Sequence, residues 1–379
     1  MRGLPRNTSA VLSAVLLGTV TAAAAAQSSG DSTAADTTSR YRNRLLAFPF
    51  VSYSPQTKLL FGAGGRYQFK WPTARADSGT RPSQLTGGGA YTTKGQWGVS
   101  LGASLYLPQN RWWIAGGGGA GFFPATYYGV GPRTKVADGL LLEQHFLAAD
   151  IRILRRLRGD FSAGVHYRGG SYTRVKWEDT TRIPPGLAGG AGGQLSGAGV
   201  VAQVDTRNST TTPRHGYYLL VDLLRYGSVL GSDFSYTSAA VDARVYLPVR
   251  YRKDVIALAL YGQWNGAEVP LQAMAMLGGI TTQELMRGVY LGRFRDQHQL
   301  VAQADYRGHL KGRFGYVVYG SAGNVYGSAG TTLFDALKFT YGAGMRFDIN
   351  PSDPLNIRVD YTFTSFGSRG LSLGVGEAF

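Results

Sequence analysis

Six pairs of opposite charge recur two residues apart: Asp150/Arg152, Asp205/Arg207, Asp242/Arg244, Asp305/Arg307, Arg346/Asp348 and Arg358/Asp360. Side chains at that spacing share one face of a β-strand. Alternating carboxylates and guanidiniums on such a face do electrostatic work. They compensate each other in a confined polar space and can hold further charged groups. Other chemistries find little support. The five histidines, His145, His166, His215, His298 and His309, show no H-E-x-x-H or comparable ligand spacing, so neither a metal nor another cofactor is expected. The chain has no cysteine, which removes disulfide and thiolate chemistry. Glycine runs at 116–119 and 189–193 lack a following Gly-Lys-Ser/Thr, and no G-x-S-x-G nucleophile elbow stands out. The expected class is not an enzyme, and no nucleic-acid partner is expected.

The elements that position these charges read as strands. The 379 residues include 54 Gly, 23 Tyr, 17 Phe and 6 Trp, a mixture suited to many strands joined by tight turns. In the stretch 337–349, Leu337, Phe339, Tyr341, Ala343, Met345, Phe347 and Ile349 occupy one phase of a period-two alternation. Lys338, Thr340, Gly342, Gly344, Arg346 and Asp348 occupy the other. Sixteen such segments follow one another: 45–54, 59–70, 83–93, 96–108, 111–124, 140–157, 160–175, 191–207, 216–227, 234–249, 254–266, 298–310, 313–325, 337–349, 355–365 and 371–379. Short and long connections largely alternate; 71–82 and 208–215 are long where short ones are expected.

Residues 1–26 read as a signal peptide, with Arg2 and Arg6 ahead of a small apolar run ending in Ala24, Ala25 and Ala26. Residues 27–44 read as a polar, disordered tether. Beyond residue 26 no run is long and apolar enough for a membrane helix. An exported all-β chain with an apolar strand phase fits a sixteen-stranded antiparallel transmembrane β-barrel over 45–379, placed in the bacterial outer membrane. The charge pairs would then line its interior at one level, since each arginine turned to lipid would cost roughly 2–4 kcal/mol near the midplane.

The long segment between the eleventh and twelfth strands carries "LGGITTQELMRGVYLGRFRD", followed by "QADYR". With "YYGVGPRT", "DTRNSTTTPRHGYY" and "GSAGNVYG", it resembles the bacterial surface antigen superfamily, the barrels of BamA, TamA and the two-partner secretion transporters. The resemblance implies sixteen strands and a sixth long loop folded into the lumen. Its motif core would be Arg287 and Gly288, with the aromatic displaced to Tyr290. It further implies that Arg287 pairs with Asp305, while Ser321 stands where a second acid is expected. Phe379, inside a last strand, resembles the signal that such barrels present to their assembly machinery. No POTRA repeat is expected ahead of the first strand. The implied role is to help insert or translocate protein or lipid, with unfolded outer-membrane proteins or a separate periplasmic protein as partners. Two alternatives remain: an anion-preferring pore, and a structural barrel whose excess of 39 Lys and Arg over 23 Asp and Glu binds lipopolysaccharide phosphates.

Overall fold

The computed structural model describes residues 43–379, apart from 55–57, 76, 78, 123, 250–253, 279–283 and 350–355. The expected signal peptide, and the tether up to residue 42, lie outside the described residues. Among the described residues the chain is all-β, with nineteen strands and no α-helix. The first half contains β1 (Arg44–Ser54), β2 (Lys58–Phe69), β3 (Ser83–Thr92), β4 (Trp97–Tyr106), β5 (Trp112–Phe122), β6 (Ala125–Tyr127), β7 (Leu140–Arg158), β8 (Phe161–Trp177) and β9 (Gly193–Asp205). The second contains β10 (Gly216–Tyr226), β11 (Tyr236–Val249), β12 (Asp254–Asn265), β13 (Ala275–Leu277), β14 (Phe294–Asp296), β15 (His298–His309), β16 (Phe314–Tyr326), β17 (Lys338–Asp348), β18 (Asn356–Thr364) and β19 (Arg369–Val375).

Every ladder is antiparallel and the sheet is a meander. β5 and β6 both pair with β7 and share one place in the sheet. Pro124 lies between them and has no N–H to give to a ladder. β12 pairs directly with β15, so the 266–297 connection, with its small β13–β14 hairpin, stands outside the large sheet. The ladders run without a break from the β1–β2 pair to the β18–β19 pair. Among the described residues no ladder joins β1 to β19.

The two phases of each strand meet opposite environments. On β17, Phe339, Tyr341 and Met345 are exposed, whereas Lys338, Thr340 and Arg346 are buried. On β10, Tyr217, Leu219, Val221 and Leu223 are exposed while Asp222 is buried. Leu101 is 76% and Leu147 62% exposed in the middle of their strands. Apolar outside and polar inside inverts a water-soluble sandwich and matches a sheet solvated by lipid.

Two sequence expectations change. The last strand ends at Val375, not at residue 379, because Gly376 takes φ +83° and turns the chain out of the ladder. The long connections 71–82 and 208–215 have a structural purpose. Arg81, from the first, reaches the end of β9, pairing with Asp205 and donating to the Arg207 carbonyl at 2.9 Å. The second closes on itself through Asn208, whose side-chain oxygen accepts from the N–H groups of Arg214 and His215 at 2.9 and 3.2 Å.

Candidate functional site

The 266–297 loop folds against the inner face of the sheet. Leu277, Met286, Val289 and Phe294 form one buried apolar cluster with Val255, Ala257 and Ala259 of β12 and Val301 of β15. Alanine at 257 and 259 leaves the room that the loop fills, and Ala257 is fully buried beneath it. The loop is held by removal of apolar surface from water as well as by charge.

Arg287 is 2% exposed. Its Nη1 donates to Asp360 Oδ2 at 2.7 Å and its Nη2 to Asp305 Oδ1 at 3.3 Å. The guanidinium also lies 3.5 Å from the centroid of the Tyr319 ring. Asp305 stands on β15 and Asp360 on β18, so one side chain ties together strands that are not neighbours. The second carboxylate is therefore Asp360, and Tyr319 supplies an aromatic face between the two. Ser321 is buried, with its hydroxyl lacking a hydrogen-bond partner. Gly288 adopts φ +82°, and a Cβ there would meet Thr362 at 3.2 Å. Its carbonyl accepts from Ser368 Oγ at 3.1 Å. Tyr290 is half-buried and stays out of the apolar cluster, which Val289 enters instead. Burial raises the Tyr290 hydroxyl pKa, with Tyr128 adding to the shift.

Among the described residues, the inner charges form separate ion-paired groups. Around Arg287, Asp305 holds Arg307 at 3.3 Å, and Asp360 holds Arg346 at 2.6 Å and Arg358 at 3.2 Å. Two acids from outside the strands complete this group: Glu284 of the loop lies 2.5 Å from Arg358, and Glu377 lies 2.9 Å from Arg346. Asp348 is half-buried at the end of β17, where its N–H donates to the Arg313 carbonyl at 2.8 Å. A second group centres on buried His166, 3.0 Å from Asp150 and 2.6 Å from Asp222, with Arg152 and Arg168 at their edges. Asp205, at the end of β9, holds Arg207 at 2.9 Å as well as Arg81, and on β11 Asp242 holds Arg244 at 2.6 Å. Tyr218 separates the Arg207 and Arg244 guanidiniums, at 4.3 Å from the first and 5.5 Å from the second. Such aromatic spacers let like charges share a confined space.

The far end of the loop meets the 128–139 connection. Arg293 donates to the hydroxyl and the carbonyl of Thr134, both at 2.7 Å, and Gly131 N donates to the Arg295 carbonyl at 2.8 Å. Burial pulls the Arg295 pKa down to about 10, Tyr127 opposing weakly. Asp296 accepts from the N–H of Ser328 at 2.9 Å and joins a third connection to this cap. Among the described residues no cluster of three or more His, Asp or Glu could hold a metal ion.

Phe379, expected within a strand, is buried inside the sheet against Tyr246, with ring centroids 6.2 Å apart. His166, Asp222, Arg168, Glu284, Glu377 and Tyr319 were not singled out from spacing, because none belongs to an Asp/Arg pair two residues apart.

Residues 162–379, more than half of the chain, match the Omp85 superfamily domain. No curated protein sequence matches significantly. In structure, 88% of the chain superposes on 70% of BamA from Haemophilus ducreyi lacking POTRA domains 1-3, at 14% identity and a TM-score of 0.53. It also superposes on CdiB from Acinetobacter baumannii, at 12% identity and a TM-score of 0.57, with 88% of this chain and 59% of that one covered. For CdiB from Escherichia coli the values are 10% and 0.55, with 87% and 61% covered. The chain thus spans less than two thirds of either CdiB. The family domain and the shared fold lead to one conclusion: the chain belongs to the Omp85 superfamily and is a β-barrel protein of the bacterial outer membrane.

Proposed function

We propose that the sheet closes into a sixteen-stranded barrel, β5 and β6 counting as one strand, and that the protein inserts or passes other polypeptides at the outer membrane through a weak seam between β1 and β19. The observation that carries this is that, among the described residues, no ladder joins β1 to β19 in a sheet whose other neighbours are all hydrogen-bonded. β19 is also short, at 7 residues, and includes Gly370 and Gly374. Glycine in a strand interior weakens pairing, and an unpaired edge is a template for another strand. Unfolded outer-membrane proteins are the clients this edge suits, through strand addition. A separate periplasmic protein could deliver them. Phe379 is buried in the folded protein, so any use of it as an assembly signal comes before its own folding is complete.

A second function, an anion-preferring pore, has the arginine-rich inner face in its favour. Against it, the 266–297 loop fills space beside β12 and β15, and three connections pack into a cap at its far end. Lipopolysaccharide contacts on the outer face are compatible with either function.

The test is reconstitution. Liposomes containing the protein should speed the folding of a urea-unfolded outer-membrane barrel, read as heat-dependent mobility on a gel. Folding no faster than with empty liposomes overturns the insertion proposal.

A further inference from the structure

Residues 376–379 leave the sheet at the Gly376 turn and enter the space inside it. Glu377 accepts from Arg346 Nε at 2.9 Å and from Asn356 Nδ2 at 2.7 Å, and lies 3.8 Å from Arg307 Nε. Two residues on, Phe379 is 5% exposed, with the Arg307 guanidinium 4.9 Å from its ring centroid. Arg307 also donates to the Phe379 main-chain oxygen at 3.1 Å. Tyr246 closes the other side of the ring.

The charges show why an acid sits here. Among the described residues, Arg287, Arg307, Arg346 and Arg358 converge on two strand carboxylates, Asp305 and Asp360. Glu284 and Glu377 bring the remaining negative charge, but the Glu284 side chain is 40% exposed and that of Glu377 only 6%. Glu377 is thus a further deeply buried counter-charge, which Arg346 has beside Asp360 and Arg307 beside Asp305. Withdrawing it leaves Arg307 and Arg346 to share Asp305 and Asp360 with Arg287 and Arg358, a state that favours any carboxylate able to replace it.

The hold on this segment is local. Its main chain joins no ladder, and its N–H groups make two such contacts: Gly376 to the Asn356 carbonyl at 2.7 Å and Glu377 to the Thr211 carbonyl at 2.9 Å. The remaining contacts among the described residues are those of the Glu377 and Phe379 side chains, one main-chain oxygen, and Ala378, which packs against the apolar cluster that holds Tyr246. Another polypeptide with the same pattern can supply each of these.

We propose that Arg307, Arg346, Asn356 and Tyr246 form a peptide-binding site for a carboxylate followed two residues later by an aromatic ring, and that residues 377–379 are its resident, exchangeable occupant. The inference does not rest on the insertion proposal, since it concerns binding to the purified protein alone. A tethered occupant competes at an effective concentration on the order of millimolar. Added peptide therefore binds the unaltered protein weakly.

The experiment uses the full chain in detergent and a fluorescently labelled peptide of residues 374–379, with binding read by anisotropy and folding checked by heat-dependent gel mobility. Glu377→Gln combined with Phe379→Ala should tighten peptide binding at least tenfold. Phe379→Ala alone, which keeps Glu377 on its arginines, should tighten it about threefold. A peptide with the Glu and Phe replaced by Gln and Ala should lose the gain, and so should adding Asn356→Ala to either variant. Equal affinity of the unaltered protein and the Phe379→Ala variant overturns the proposal. So does a gain that the substituted peptide shares.

Discussion

Replacing Arg287 with alanine should release the internal loop while leaving the barrel folded. Losing one partner of a buried ion pair costs about 3–5 kcal/mol when a charge is left uncompensated. Here Asp305 keeps Arg307 and an amide from Gln303 at 2.6 Å, and Asp360 keeps Arg346 and Arg358. The lower end, about 3 kcal/mol, therefore applies. At about 1.4 kcal/mol per factor of ten, the undocked fraction of the loop rises roughly a hundredfold. The chain supplies its own reporter: Arg293 and Arg295 lie in the same loop and are each 6% exposed when it is docked. Trypsin cleaves them only after undocking, so the rate of nicking follows the open population when reclosing is fast. The expected outcome is roughly hundredfold faster nicking together with raised conductance in a planar bilayer. Arg287→Lys should fall between the two, because an ammonium cannot reach both carboxylates with a planar fork. Unchanged nicking and unchanged conductance in a folded variant would refute the clamp.

Asp360→Asn should destabilise the barrel more than Asp305→Asn, about 5 against about 3 kcal/mol, because Asp360 neutralises three arginines and Asp305 two; the gel-mobility melting temperatures should rank accordingly. Gly288→Ala should also loosen the loop, by about 1 kcal/mol or more from the φ of +82° alone, with faster tryptic nicking as the readout. At the surface, hydrogen bonds from the Thr332 N–H and hydroxyl, with Arg133 nearby, lower the Asp335 pKa. A depressed pKa means a contribution present above the unfolded value of about 4 and lost as the pH falls through the folded one. Hydrogen exchange in the 331–337 connection should therefore speed up on acidification below that value, and Asp335→Asn should abolish the dependence.

The strands were legible because lipid makes an unusually strict solvent: an outer phase such as Phe339, Tyr341 and Met345 cannot be interrupted by charge. Boundaries of β7, β10, β12 and β15 fall within three residues of those expected from alternation. The same rule marks where the last strand stops. Leu371, Leu373, Val375 and Glu377 share a phase, and continuing the strand would turn Glu377 to lipid. The run of glycines there hid that signal. The three-residue strands β13 and β14 are too short to show any period. Asp360 as a partner of Arg287 was hidden for another reason: β15 and β18 come within reach of one arginine only because the sheet curves, and spacing along a strand carries no curvature. His166 and Asp222 meet across β8 and β10, which no pattern within one strand reveals.

The seam is the centre of the functional account, and in-cell photo-crosslinking tests it most directly. Probes at Leu45 on β1 and Leu373 on β19 replace side chains that are 74% and 60% exposed, so both face outward where a client strand would add. Capture of newly made outer-membrane proteins from both positions is the predicted result. Adducts confined to β1 with β19 would mean a closed barrel and would contradict the account.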